Sequence, residues 1–229
     1  MKPETKVWLS EFTCVASWHT IDATNATIFL LEGEVHRPLV MPLGVYDLES
    51  FRAALQTAFN SSSKSASMGT YSVNLVAAGS GGGTVRALRV SCSSGTFAIP
   101  DDARILTQIQ GPIYSMNSIV SFPSGNLQLS IHTSGFVDLR RVHSLYVHSP
   151  SFGAYNSVGP RGERISLAKI PCDVGYGQLV SYQSSASPHD FIEAGVSGLT
   201  TLRLELRDAG GRLLDLQGTH WSATLLFEL

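Results

Sequence analysis

Apolar and polar positions alternate through most of the chain in short stretches, the pattern of half-buried β-strands. KVWLSEFTCVAS (6–17) mixes β-branched and aromatic residues with polar ones. ATIFLLEG (26–33) follows it after turn residues around Asp22 and Asn25. VHRPLVMPLG (35–44) reads as extended, because Pro38 and Pro42 suit strand edges and not helix interiors. The period then changes once. Leu48, Phe51, Leu55 and Phe59 recur at intervals of three and four behind Asp47, a good N-cap residue. The spacing predicts one short amphipathic helix (about 47–59) lying across the end or face of a sheet.

YSVNLV and VRALRVSC flank AAGSGGGT (77–84), which reads as a hairpin with a Gly-rich tip. IPDDARILTQIQG (99–111) reads as a helical turn capped by Asp101 or Asp102 and closed by Gly111. LQLSIHTS (127–134), VDLRRVHSLYVHS (137–149), ISLAKIPC (165–172), GQLVSYQS (177–184) and HDFIEAGVSG (189–198) read as further strands or extended segments. Leu202, Leu204 and Leu206 alternate with Arg203, Glu205 and Arg207. Residues 208–211 turn the chain, LLDL returns, and WSATLLF makes a closing strand. The class is all-β, a jelly roll or β-sandwich in two β-rich parts, with residues 1–125 expected to form the first and 126–229 the second. Leu48, Phe51, Leu55, Leu204, Leu206, Trp221 and Phe227 are the expected core residues.

Composition narrows this picture. At 229 residues the chain is long enough to bury a core without disulfides. Only 15% of its residues are charged, against about 25% in an average soluble domain. A surface so poor in charge is either covered by partners or built of Ser, Thr and Gly. The net charge of -2 supplies no electrostatic footprint for nucleic acid or an anionic membrane. MKPETKVWLSEF lacks the pattern of a signal peptide, and no stretch approaches the ~18 apolar residues of a membrane span.

The chemistry-bearing residues do not assemble into a site. Cys14, Cys92 and Cys172 have no zinc or redox spacing and read as reduced core residues. His143 and His148, five apart, would point to opposite faces of a strand, and no Ser stands in a GxSxG elbow. GSGGGT lacks the Lys-Ser/Thr ending and the following helix of a phosphate-binding loop. Arg140, Arg141, Arg161, Arg164 and Lys169 make the second half locally basic, but with sparse aromatic interleaving they read as a solvated face. No catalytic residue, cofactor or metal ligand is assigned, and an enzyme is not expected.

The order of segments carries a resemblance. VWLSEF, the proline-rich stretch and MPLGVYDLESFRAALQTAF resemble an IPxGxY element followed by a short amphipathic helix. YSVNLV, VRALRVSC and ILTQIQG resemble the next steps, and LTTLRLELRDAGGRLLDLQGTHWSATLLF resembles the ending. The group so resembled is the minor capsid and penton-like structural proteins of eukaryotic double-stranded DNA viruses and virus-like elements of the Polinton, adintovirus and virophage kind. Position 41 is Met where Ile is usual there, and the Ser- and Gly-rich loops of the first half are insertions.

The resemblance implies a virion structural protein, a minor capsid or vertex component. It would assemble with copies of itself and with a major capsid protein, after synthesis in the host cytoplasm and assembly in the nucleus or a cytoplasmic factory. The alternative is a receptor- or glycan-binding, fibre-head-like β-sandwich. Interface candidates come from the two loops expected to be most exposed: Phe152, Tyr155, Arg161, Arg164, Tyr176 and His189, with the 79–84 tip beside them.

Overall fold

The computed structural model describes residues 5–61, 64–78, 85–100, 115–123, 127–152, 166–184, 192–194 and 201–228. The chain divides into two compact units. One comprises Met1–Trp18 with Val142–Leu229, and the other is His19–Arg141. Neither crossing coincides with the single division near residue 125 expected from sequence. The physical reason is the first strand, whose strand partners among the described residues all lie in the final third of the chain.

The strands are β1 (Thr5–Val15), β2 (Thr27–Glu32), β3 (Val35–Val40), β4 (Tyr71–Ala78), β5 (Val85–Cys92), β6 (Phe97–Ala98), β7 (Ile131–Thr133), β8 (Ser144–His148), β9 (Ser166–Pro171), β10 (Leu179–Gln183), β11 (Ile192–Ala194), β12 (Glu205–Arg207) and β13 (Trp221–Glu228). The helices are α1 (Leu48–Phe59) and the single turn α2 (Asn117–Val120). All strand pairs described are antiparallel.

In the His19–Arg141 unit the sheets run β3-β2-β6 and β4-β5-β7. Their inward side chains and those of α1 form one apolar cluster that includes Ile28, Leu30, Phe51, Leu55, Phe59, Val73, Leu88 and Phe97. β2 and β3 join through a two-residue turn in which Gly33 takes φ 64, an angle that costs glycine little.

The helix forms where its pattern predicts. The Asp47 carboxylate accepts from the Ser50 N–H at 2.7 Å while Ser50 Oγ accepts from the Asp47 N–H at 3.0 Å, a reciprocal cap. The Ser50 hydroxyl, which donates to the Asp47 carboxylate at 2.6 Å, and then the Ser50 N–H hold the Asp47 carboxyl below its ordinary range. Phe51, Leu55 and Phe59 are fully buried and Leu48 is half-buried.

The other face of α1 closes the free edge of β4. Asn60 Oδ1 accepts from the Tyr71 N–H at 2.9 Å, and its Nδ2 donates to the Tyr71 carbonyl at 2.8 Å. One turn back, Gln56 Oε1 accepts from the Val73 N–H at 3.0 Å, and a turn further Arg52 donates to the Val73 carbonyl at 3.2 Å. Side chains at i, i+4 and i+8 of one helix thus replace a neighbouring strand. Asn60→Ala will leave the Tyr71 backbone without these partners and cost about 1–3 kcal/mol. Hydrogen exchange will show it as faster exchange of the Tyr71 amide, with the helix amides of residues 51–55 little changed.

In the other unit the sheets are β10-β1-β11, with β13 also on β1, and β12-β8-β9. Their cluster includes Val7, Leu9, Phe12, Cys14, Leu145, Val147, Ile170, Val180 and Leu206. Regular pairing is shorter than the sequence pattern predicts. Within residues 137–149 only Ser144–His148 is strand, and the 127–134 stretch pairs regularly only at Ile131–Thr133. The alternating leucines resolve into β12 with an irregular approach, where Leu206 is buried, Leu204 half-buried and Leu202 exposed. The turn at 208–211 is present: the Asp208 N–H donates to the Arg212 carbonyl, and Leu213 bridges Arg207. The 79–84 tip and the 101–111 turn lie outside the described residues.

Candidate interaction surface

β13 runs along β1 from Cys14↔Trp221 to Lys6↔Glu228, with β10 and β11 on the opposite side of β1. Directly paired residues of antiparallel strands share a face. The inward row is therefore Val7 with Phe227, Leu9 with Leu225, Phe12 with Ala223 and Cys14 with Trp221. The outward row is Lys6 with Glu228, Trp8 with Leu226, Glu11 with Thr224 and Thr13 with Ser222. A bulge between Leu9 and Glu11 shifts the alternation by one residue, so that Leu9 and Phe12 both face inward.

The two strands differ in cover. The inward side chains of β1 are at most 2% exposed, whereas Trp221, Ala223 and Leu225 are half-buried and Phe227 is 45% exposed. Phe227 and Trp221, expected in the core, thus sit at its open rim. The cause is position: among the described residues β13 pairs with β1 alone. Natural sheets blunt such an edge with Pro, Lys, a bulge or a covering element. The WSATLLFE sequence of β13 holds neither Pro nor Lys, in contrast to the helix-capped edge of β4.

The other interface candidates scatter. Tyr176 is 59% exposed in the turn before β10, beside an equally exposed Leu179. Phe152, expected in an exposed loop, is 5% exposed, because a 3-10 turn at Pro150–Phe152 points its ring toward Phe227, 6.3 Å away between centroids. Tyr155, Arg161, Arg164 and His189 lie outside the described residues. Arg140 and Arg141, read as part of a basic face, pair with Asp138 and Asp22.

Among the described residues no three His, Cys, Asp or Glu side chains converge as metal ligands, and no helix is long and apolar enough to cross a membrane. All three cysteines are free and buried. Burial, and secondarily the Cys172 thiol, pushes Cys14 up to about 11, so neither thiol is primed as a nucleophile. One polar constellation escaped sequence reasoning. Glu32 and Arg37 form a buried ion pair at 2.6 Å, the Tyr71 hydroxyl donates to the same carboxylate oxygen at 2.8 Å, and the Ser65 N–H donates to the other at 3.0 Å. Burial first, and then the bond to Glu32, pushes the Tyr71 hydroxyl far above its usual range. With Tyr71 fully buried and Glu32 and Arg37 nearly so, the cluster offers a substrate no access. Glu32 falls on the inward alternation of β2, after Ile28 and Leu30, which is the signal that could have found it.

Glu205 is the second ion-paired carboxylate of note, held by Arg207 at 2.6 Å and Arg203 at 2.7 Å. The bond from Arg207 holds its carboxyl below the ordinary 4.5. A depressed carboxyl stabilises the fold fully above the unfolded value and loses that contribution as pH falls through the lowered one. Urea midpoints between pH 5 and pH 3 will therefore fall less steeply in Glu205→Gln than in the parent chain.

No protein-family model and no curated protein matches this chain. Among solved structures, the crystal structure of selenomethionine-labelled mavirus penton protein matches with a TM-score of 0.51 and 11% sequence identity. The match covers 98% of this chain and 88% of that one. With so little identity the likeness is one of fold, and it spans both compact units. The chain's mostly antiparallel β architecture is therefore similar, over nearly its whole length, to that of the penton protein of mavirus, a virophage.

Proposed function

We propose that this chain is a structural protein of a virion, a minor capsid or vertex component that works through protein–protein contacts and not through catalysis. The fold match to a penton protein across 98% of the chain carries the reading. Three features agree with it: a low fraction of charged residues, a polar constellation sealed inside a unit, and a sheet edge, unpaired among the described residues, rimmed by Trp221, Leu225, Leu226 and Phe227. Its partners in this reading are further copies of itself and a major capsid protein, with the virion as its destination.

The test is assembly. Purified full-length chain, examined by native mass spectrometry and negative-stain microscopy, will give ring-shaped oligomers with five-fold symmetry or will bind purified capsomers. A chain that stays monomeric at high concentration and binds no capsomers sinks the reading.

A further inference from the structure

We infer that β13 pairs with β13 of a second copy of this chain, antiparallel and in one register, about a two-fold axis passing through Thr224. A strand open on one side is a template for another strand, and its own sequence decides whether a copy of itself fits. For two copies to join their sheets with both cores on the same side, the axis must stand perpendicular to the sheet and pass through a residue, so that inward residues oppose inward ones.

Centred on Thr224, that rule sets Trp221 opposite Phe227 and Ala223 opposite Leu225 on the inward face, each pair occurring twice. Aromatic meets aromatic and small meets large, at the four positions where the core is incompletely covered. On the outward face Ser222 meets Leu226. One step beyond the strand, exposed His220 falls opposite Glu228, an imidazole N–H donor facing a carboxylate acceptor at each end of the contact. Centring the axis one residue either way, on Ala223 or Leu225, breaks both the His220–Glu228 and the Trp221–Phe227 pairings, and centring it two residues either way also shortens the overlap. Thr224 itself is exposed and faces its own counterpart across the axis. The contact stands independently of the virion reading, since it follows from β13 alone.

Cross-linking in the full-length chain tests the register. Opposed residues in an antiparallel pair lie about 4.5–5.5 Å apart between Cα atoms, inside the disulfide window of about 4.4–6.8 Å. The three native thiols are buried, so copper–phenanthroline oxidation of Thr224→Cys will give a disulfide-linked dimer where the parent chain gives none. Ser222→Cys alone will give none, and Ser222→Cys with Leu226→Cys will restore the dimer.

Dissociation constants from analytical ultracentrifugation supply the second arm. His220→Glu sets carboxylates opposite each other at both ends and will weaken the dimer roughly tenfold, whereas adding Glu228→Gln, which removes the repulsion without setting a second cation beside Lys6, will recover most of it. Circular dichroism and melting confirm that each variant folds. Thr224→Cys that stays monomeric with a native spectrum, or Ser222→Cys that cross-links as readily, overturns the proposal. Cross-linking at 224 in a chain that forms no rings and binds no capsomers supports the contact and counts only against the virion reading.

Discussion

Glu32→Ala will destabilise the His19–Arg141 unit by about 3–5 kcal/mol, the cost of leaving a buried guanidinium without its counter-charge. The size of the effect follows from how many groups the carboxylate serves. One oxygen accepts from both Arg37 and Tyr71, and the other accepts from the Ser65 N–H. Arg37 in turn donates to the Phe59 carbonyl at the end of α1, at 3.1 Å. One ion pair thereby joins the β2–β3 hairpin, the end of α1, the start of β4 and the segment around Ser65. Tyr71→Phe, which removes a single bond to the charge, will cost about 1–3 kcal/mol. Glu32→Leu combined with Arg37→Met will cost less than Glu32→Ala, because no charge is then left buried alone. Urea unfolding of the four proteins checks the series, and a Glu32→Ala loss below about 1 kcal/mol would show the pair to be solvated.

Deleting residues 225–229 will prevent the other unit from folding. The deletion removes the strand opposite Lys6, Val7, Trp8 and Leu9, and uncovers Val7 and Leu9, which are 0% and 2% exposed. Each large apolar side chain returned to water costs about 1.5–3 kcal/mol, and the lost ladder adds to this. Two such side chains on β1, together with the cover supplied by Leu225 and Phe227, approach the total stability of an ordinary domain, about 5–15 kcal/mol. The expected product is insoluble on expression. A truncated chain that melts cooperatively near the parent temperature would show that β13 is dispensable to the core.

Much of the architecture was legible in the chain because local periodicity reports local structure. The α1 helix shows its face through Leu48, Phe51, Leu55 and Phe59 and its start through Asp47, all within 13 consecutive positions. β2 shows its inward face through Ile28, Leu30 and Glu32. The division into units was not legible, because which strands pair with β1 depends on residues far along the chain that no local window contains. The candidate surface was visible only in part. WSATLLF reads as a strand, but a sequence does not say that the strand lies at a rim, and a rim leaves Phe227 exposed where a central position would bury it. Phe152 fails in the opposite sense: a Ser- and Gly-rich neighbourhood suggests exposure, and a 3-10 turn brings its ring back against Phe227.

The placement of β1 also sets an order of events during synthesis. Thr13 and Ser222 hydrogen-bond at 2.7 Å across 209 residues of sequence, and every strand that pairs with β1 emerges from the ribosome after the whole of His19–Arg141. Every strand pair described in the interior unit lies within it, so that unit can fold while translation continues. β1 meanwhile waits, a long apolar strand with both edges bare, until the late strands arrive. A nascent chain of this kind depends on being shielded over that interval. Its yield in a cell is therefore expected to track translation speed and chaperone supply more closely than the stability of the finished fold.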